Sequence, residues 1–139
     1  MSALPAVKIR PPEYFVNERA VKAAIKKIVQ TYREYLYQAH GLKIFEFMPV
    51  SNGMGKHGIP DFNFCAFGIF LSIETKQGGN KPTARQKFCL EEIRASGGIA
   101  VVVDEHNLAL VVSIFTELYG YYLEGRLRPL PVSGASQAL

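Results

Sequence analysis

Asp61, Glu74 and Lys76 are the residues of this 139-residue chain whose types and spacing point to chemistry. They stand in two short runs, Gly58-Ile59-Pro60-Asp61-Phe62-Asn63-Phe64 and Ser72-Ile73-Glu74-Thr75-Lys76-Gln77. Side chains two apart on a strand share a face, so Glu74 and Lys76 point one way while Ile73 and Thr75 point the other. Phe62, Phe64 and Ala66 alternate with Asp61, Asn63 and Cys65, and Phe67-Gly68-Ile69 reads as a tight reversal. Two antiparallel strands then bring Asp61 near Glu74 at one end of a hairpin. Two carboxylates with water completing the shell suit Mg2+ or Mn2+ rather than zinc. The amine beside them suits a phosphate or an attacking water. The same Glu74 and Lys76 also read as a plain ion pair on a solvated sheet face, and spacing alone does not separate the two.

The elements that hold these residues follow from periodicity. Asn17 is a candidate N-cap. Val21, Ala24, Ile25, Ile28, Val29, Tyr32, Tyr35 and Leu36 then recur at spacings of three and four, an amphipathic helix that Gly41 ends. A strand is expected over 44–50, a glycine-rich loop over 51–58, then the acidic hairpin and a turn over 77–81. A second helix is expected over 83–96, burying Cys89, Leu90 and Ile93, with Gly97-Gly98 stopping it. An apolar strand over 99–103 and a third helix over 107–123 complete the pattern. Helix, three strands, helix, strand, helix reads as a mixed α/β sandwich, the strands flanking the second helix lying parallel through a crossover. Residues 1–16, with Pro5, Pro11 and Pro12, read as an extended arm, 17–124 as one domain, and 125–139 as a loose tail. A chain of this length supports one core.

A formal net charge of +4 permits a basic groove and argues against a histone-like binder. Cys65 and Cys89 form no Cys-x-x-Cys pair and read as buried thiols, pointing to a reducing compartment. No apolar run is long enough to cross a bilayer, and the first residues do not form a signal sequence. The expectation is a soluble, cytoplasmic protein with no membrane partner (in the host cytoplasm if viral).

Gly58-Ile59-Pro60-Asp61, Ile73-Glu74-Thr75-Lys76, Lys81-Pro82-Thr83-Ala84-Arg85-Gln86 and Ala95-Ser96-Gly97-Gly98 together resemble the VRR-NUC (virus-type replication-repair nuclease) family of the PD-(D/E)xK nuclease superfamily. The resemblance runs from about Asn17 to Asp104. It implies a restriction-endonuclease-like fold, a four- or five-stranded mixed sheet flanked by helices. It also implies metal-dependent hydrolysis of DNA phosphodiesters leaving 5′-phosphates. In that pattern Asp61, Glu74 and the backbone carbonyl of Thr75 hold Mg2+ or Mn2+ with Glu18 assisting, and Lys76 and Gln86 complete the catalytic set. Stand-alone members act as homodimers on branched DNA, so the resemblance implies a Holliday (four-way) junction resolvase of DNA repair and recombination.

Other residues keep two readings. Glu18 falls on the inward stripe of the first helix, as metal ligand or merely as a first-turn acid favoured by the helix dipole. Gln86 matches a glutamine near the family's active site, yet Thr83-Ala84-Arg85-Gln86 is also a capping box. Lys56 and His57 in the glycine-rich loop, and Lys81, Arg85 and Lys87 at the opening of the second helix, are candidate DNA contacts. Arg19, Lys22, Lys26 and Arg33 line the polar side of the first helix, where charge usually serves solubility. Tyr119, Tyr121 and Tyr122 read as core or subunit packing. Three other functions stay open: a less selective nicking or flap endonuclease, a restriction-type enzyme with sequence readout, and a nuclease-like DNA-binding protein that does not cut.

Overall fold

A computed structural model describes residues 3–49 and 58–127. After a 3-10 turn at Pro12–Tyr14 come α1 (Glu18–His40), β1 (Phe45–Phe47), β2 (Phe62–Ala66), β3 (Ile69–Thr75), α2 (Ala84–Ala95), β4 (Ile99–Val103) and α3 (Ala109–Leu123). The strands form one mixed sheet in the order β1-β2-β3-β4. The first two pairings are antiparallel, and β3 and β4, joined through α2, are parallel. The expected order of elements and the mixed α/β character are both present.

Local chemistry sets the boundaries of α1. The Asn17 side chain accepts from the Ala20 N–H at 2.9 Å, satisfying one orphan donor of the first turn. At the other end Gly41 adopts a left-handed conformation (φ 65) that a β-carbon would penalise. Between them Val21, Ile25, Ile28, Val29, Tyr32 and Leu36 form the buried stripe. That stripe and the α3 residues Val111, Phe115, Leu118 and Tyr119 share one core with Phe62, Phe64, Ala66, Leu71, Ile73 and Val103 of the sheet. Residues of the N-terminal arm share this packing: Phe15 is buried, and Leu4 and Val7 pack against the same core. At the C-terminal end Leu127 does likewise.

On the opposite face α2 lies against β3 and β4, with Cys89 and Leu90 buried. It does not extend over β1 and β2. Phe45, Phe47 and Phe70 are therefore exposed, as is Cys65, which pairs with Phe45 and Phe70 across the strands. The expectation of two buried thiols thus holds for Cys89 and fails for Cys65, because the second helix is too far along the sheet to cover it. Ile93 is only half-buried. The first strand is three residues long rather than seven, and residues 50–57, which include all of the glycine-rich loop but Gly58, lie outside the described residues. The third helix begins two residues later than expected. Asn107 is used in the turn before it, accepting from Asp104 N–H at 2.7 Å and donating to the Val102 carbonyl at 3.0 Å. Among the described residues no helix is long and apolar enough to cross a membrane.

The β2–β3 reversal has both central residues at positive φ, Phe67 at 56° and Gly68 at 78°. This is the mirror-image two-residue turn whose twist matches that of the flanking strands. A phenylalanine is strained there, yet its buried ring packs on Phe115, Tyr119 and Tyr122 at centroid distances of 6.5, 6.4 and 5.7 Å. Phe67→Gly relieves about 1–2 kcal/mol of backbone strain and forfeits about 3–5 kcal/mol of packing. The variant should lose about 1–4 kcal/mol in urea denaturation; an unchanged midpoint would mean the ring does not anchor the turn.

Candidate active site

The register of the hairpin decides where the acids meet. Phe62 pairs with Ile73, so Asp61, one residue ahead of β2, reaches the end of β3 where Glu74, Thr75 and Lys76 lie. Asp61 Oδ2 accepts from the Thr75 N–H at 2.9 Å. Its Oδ1 is 3.4 Å from Lys22 Nζ, and the same ammonium is 3.4 Å from Glu18 Oε2. Burial works against charge on Lys22, but Asp61 and then Glu18 outweigh it and raise its pKa above the ordinary lysine value.

Glu74 is 2% exposed. Its Oε2 is 3.3 Å from Lys76 Nζ, while Oε1 is buried and has no hydrogen-bond partner. Withdrawal from water, and next the negative charge of Asp61, push its pKa up to about 7 despite the nearby Lys76. The pair is therefore not a solvated surface ion pair. It is an acid held against its preference beside a second acid, with solvent reaching the cluster through Asp61, whose side chain is 24% exposed.

Two further contacts fix the segment that carries Asp61. Asn63, buried on β2, donates to the Pro60 carbonyl at 2.9 Å and accepts from Ser72 Oγ at 2.8 Å, locking the chain just before Asp61 to the sheet. Gly58 presses on the opening of α2: a β-carbon placed there would lie 2.6 Å from the Arg85 carbonyl oxygen, and φ is +82°. The Gly58–Asp61 segment is thereby seated between the sheet and the first turn of α2, which brings the Arg85 backbone close to the site. Lys81, Arg85 and Lys87 are all exposed around that turn. Past Lys76, the turn is tied on both sides. Gln77 Nε2 donates to the Phe15 carbonyl at 3.0 Å, and Gly78 N–H to Glu105 Oε2 at 2.9 Å, a bond that holds Glu105 below the usual carboxylate range.

Asp61, Glu74 and Lys76 are thus brought together as the spacing implied. Glu18 is not added to them. Its side chain is 42% exposed and pairs with Lys22, which stands between it and Asp61. Gln86 has the capping role: its Oε1 accepts from Thr83 N–H at 2.9 Å, and its own N–H donates to Thr83 Oγ1 at 3.2 Å. Lys56 and His57 lie outside the described residues. Sequence reasoning left Lys22 among the solubilising charges, although its place four residues after Glu18 signals the pair. Nothing in the pattern marks Glu105, whose role depends on a turn 27 residues earlier in the chain.

The donor set fits a hard divalent cation of modest protein ligation. Among the described residues no three acidic, histidine or cysteine side chains gather to hold an ion. Two carboxylates, Asp61 and Glu74, remain, and Mg2+ commonly takes one or two carboxylates and keeps several waters. The unpartnered Oε1 of Glu74 is the specific feature that fits, since an orphaned buried carboxylate oxygen gains from a cation without giving up another bond. Comparison of the chain with protein-family models, with curated proteins and with solved structures finds no match.

Gly58→Ala has neither the backbone conformation nor the space it needs, so it should lower stability by about 2 kcal/mol or more; a thermal midpoint equal to wild type would refute the close seating on α2. Glu74 gives a pH signature. Its folded pKa of about 7 exceeds the ordinary 4.5, so the fold favours the protonated acid, and this contribution is complete below pH 4.5 and lost as pH rises through 7. Glu74→Gln should therefore exceed wild type in stability at pH 8, by an amount on the order of 3 kcal/mol, and converge with it towards pH 4.5. Chemical denaturation at the two pH values measures this, and an equal difference at both contradicts the assignment.

Proposed function

We propose that the chain is a metal-dependent, structure-selective DNA endonuclease with a restriction-endonuclease-like fold, acting as a Holliday junction resolvase. The observation that carries the reading is the meeting of Asp61 with a desolvated Glu74 that has one oxygen unpartnered and Lys76 on the other. A structural ion pair has no need of the second acid, nor of a raised pKa beside it. The order of elements supports the same fold assignment: a helix, a three-stranded meander bearing the acids, then a helix leading to a parallel strand. The motif resemblance to the VRR-NUC family adds the substrate class, DNA, and the branch preference.

Asp61, Glu74 and the Thr75 carbonyl would hold Mg2+ or Mn2+, which when bound polarises a phosphodiester and lowers the pKa of water. Lys76, held against Glu74, orients the nucleophile and offsets negative charge developing on the phosphate. Asn63 and Gly58 keep Asp61 in register with β3. Lys81, Arg85 and Lys87 lie exposed around the opening of α2, where backbone phosphates would follow it; the sequence adds Lys56 and His57 as candidate DNA contacts. Paired cuts across a four-way junction require two sites, so one cluster per chain calls for a homodimer with a two-fold axis. A less selective nicking or flap endonuclease uses the same chemistry on other substrates.

Incubation of the purified chain with a synthetic four-way junction and with a linear duplex, in Mg2+ or in chelator, tests the proposal. Cleavage of the junction in Mg2+ alone is expected. Asp61→Ala and Glu74→Ala should each reduce it by about a hundredfold or more while junction binding persists, and Lys76→Ala by a comparable factor. Binding without cleavage under Mg2+ or Mn2+ would replace the enzyme reading with a non-cutting DNA-binding protein, and cuts at fixed sequences of the linear duplex would indicate a restriction-type activity.

A further inference from the structure

We propose that Lys22 is the resident counter-ion of Asp61, competing with the divalent cation for that carboxylate and passing to a DNA phosphate when substrate binds. The inference rests on the metal-dependent nuclease reading and adds to it a residue that couples substrate to metal.

The two acids of the site are unequal in what they leave open. Glu74 keeps Oε1 without a partner, whereas both oxygens of Asp61 are engaged. Oδ2 takes the Thr75 N–H, a main-chain bond that holds Asp61 to the end of β3, so Oδ1 is the oxygen available to a cation. Lys22 Nζ is 3.4 Å from it. A divalent ion held by Asp61 and Glu74 would share Asp61 with this ammonium or displace it, and like charges at that range repel strongly.

Lys22 is suited to leaving. Its side chain is 30% exposed on a flexible four-carbon stem, and its neighbours on the polar side of α1, Arg19 and Lys26, are exposed cations with no ion pair to Asp61 among the described contacts. A phosphate drawn to that basic face offers Lys22 an anion outside the cluster. Glu18, one helical turn before it, then serves as the tether that returns Lys22 to Asp61, which accounts for an acid at the start of α1 that does not reach the metal donors. Coupling of this kind is reciprocal: whatever factor the phosphate adds to metal affinity, the metal adds to phosphate affinity.

Mn2+ binding to the DNA-free protein, followed by electron paramagnetic resonance of the free ion, reads the competition directly. Lys22→Met should tighten Mn2+ binding by about tenfold. Lys26→Met, which removes the same charge one turn further along, should change it by less than about threefold. Lys22→Gln serves as the second variant and should shift the affinity in the same direction. Junction binding, measured by fluorescence anisotropy, should weaken in Lys22→Met with saturating Ca2+ and stay within about twofold of wild type in chelator. Equal Mn2+ affinity in wild type and Lys22→Met would overturn the role of Lys22. If Asp61→Asn still removes Mn2+ binding in that case, the metal site stands and the coupling alone fails. If Asp61→Asn binds Mn2+ like wild type, the nuclease reading fails with it.

Discussion

Burying a carboxylate that has no complete set of partners is among the costlier things a small domain can do, and Glu74 and Glu105 are both of this kind. Glu74 lies at the end of β3, 2% exposed, with one oxygen on Lys76 and the other on nothing. A second acid, Asp61, is held against the next backbone amide. Hydrophobic packing does not require this arrangement, since Ile73, on the other face of the strand, already meets the core. The arrangement makes sense as a place for positive charge. Lys76 supplies part of it, while burial, and next the charge of Asp61, still hold the pKa of Glu74 above its ordinary value.

The local stability given up at Glu74 is offset by rigidity around it. The Phe67–Gly68 turn sets the register that pairs Phe62 with Ile73, and a slip of one residue would put the two acids on opposite faces of the sheet. The buried Asn63–Ser72 bond and the contact of Gly58 with α2 then fix the last few residues before Asp61. On the other side of Lys76, Gln77 and Gly78 are tied to Phe15 and Glu105, which lie far away in the chain. Each tie comes from a different element, so the site depends on the whole sheet being assembled.

How much of this could be read from the sequence depended on whether the signal was local. The helix over Glu18–His40 was legible because Asn17, the apolar stripe and Gly41 are independent cues that agree. The hairpin was legible because alternation through Phe62, Phe64 and Ala66 is broken only at Phe67-Gly68. The meeting of Asp61 and Glu74 followed from that alternation. Three features were not visible, for reasons of distance or competition. Cys65 is exposed because α2 covers β3 and β4 and stops short of β2, a packing offset that no strand pattern records. Gln86 had two chemical roles open, and the capping bond to Thr83 takes its carbonyl oxygen. Glu18 had the right helical face for the metal site, but Lys22, one turn on, intercepts it.

If Asp61 and Glu74 hold a cation, the ionisation of Glu74 must answer to it. Carbon NMR of its side-chain carboxyl, titrated with pH in chelator and again in Mg2+, reports the group itself rather than any downstream activity. Titration at about 7 is expected in chelator, falling markedly when Mg2+ is added and not falling in Asp61→Asn. A Glu74 that titrates as an ordinary exposed glutamate, or that ignores Mg2+ altogether, would contradict a cation site at these two acids.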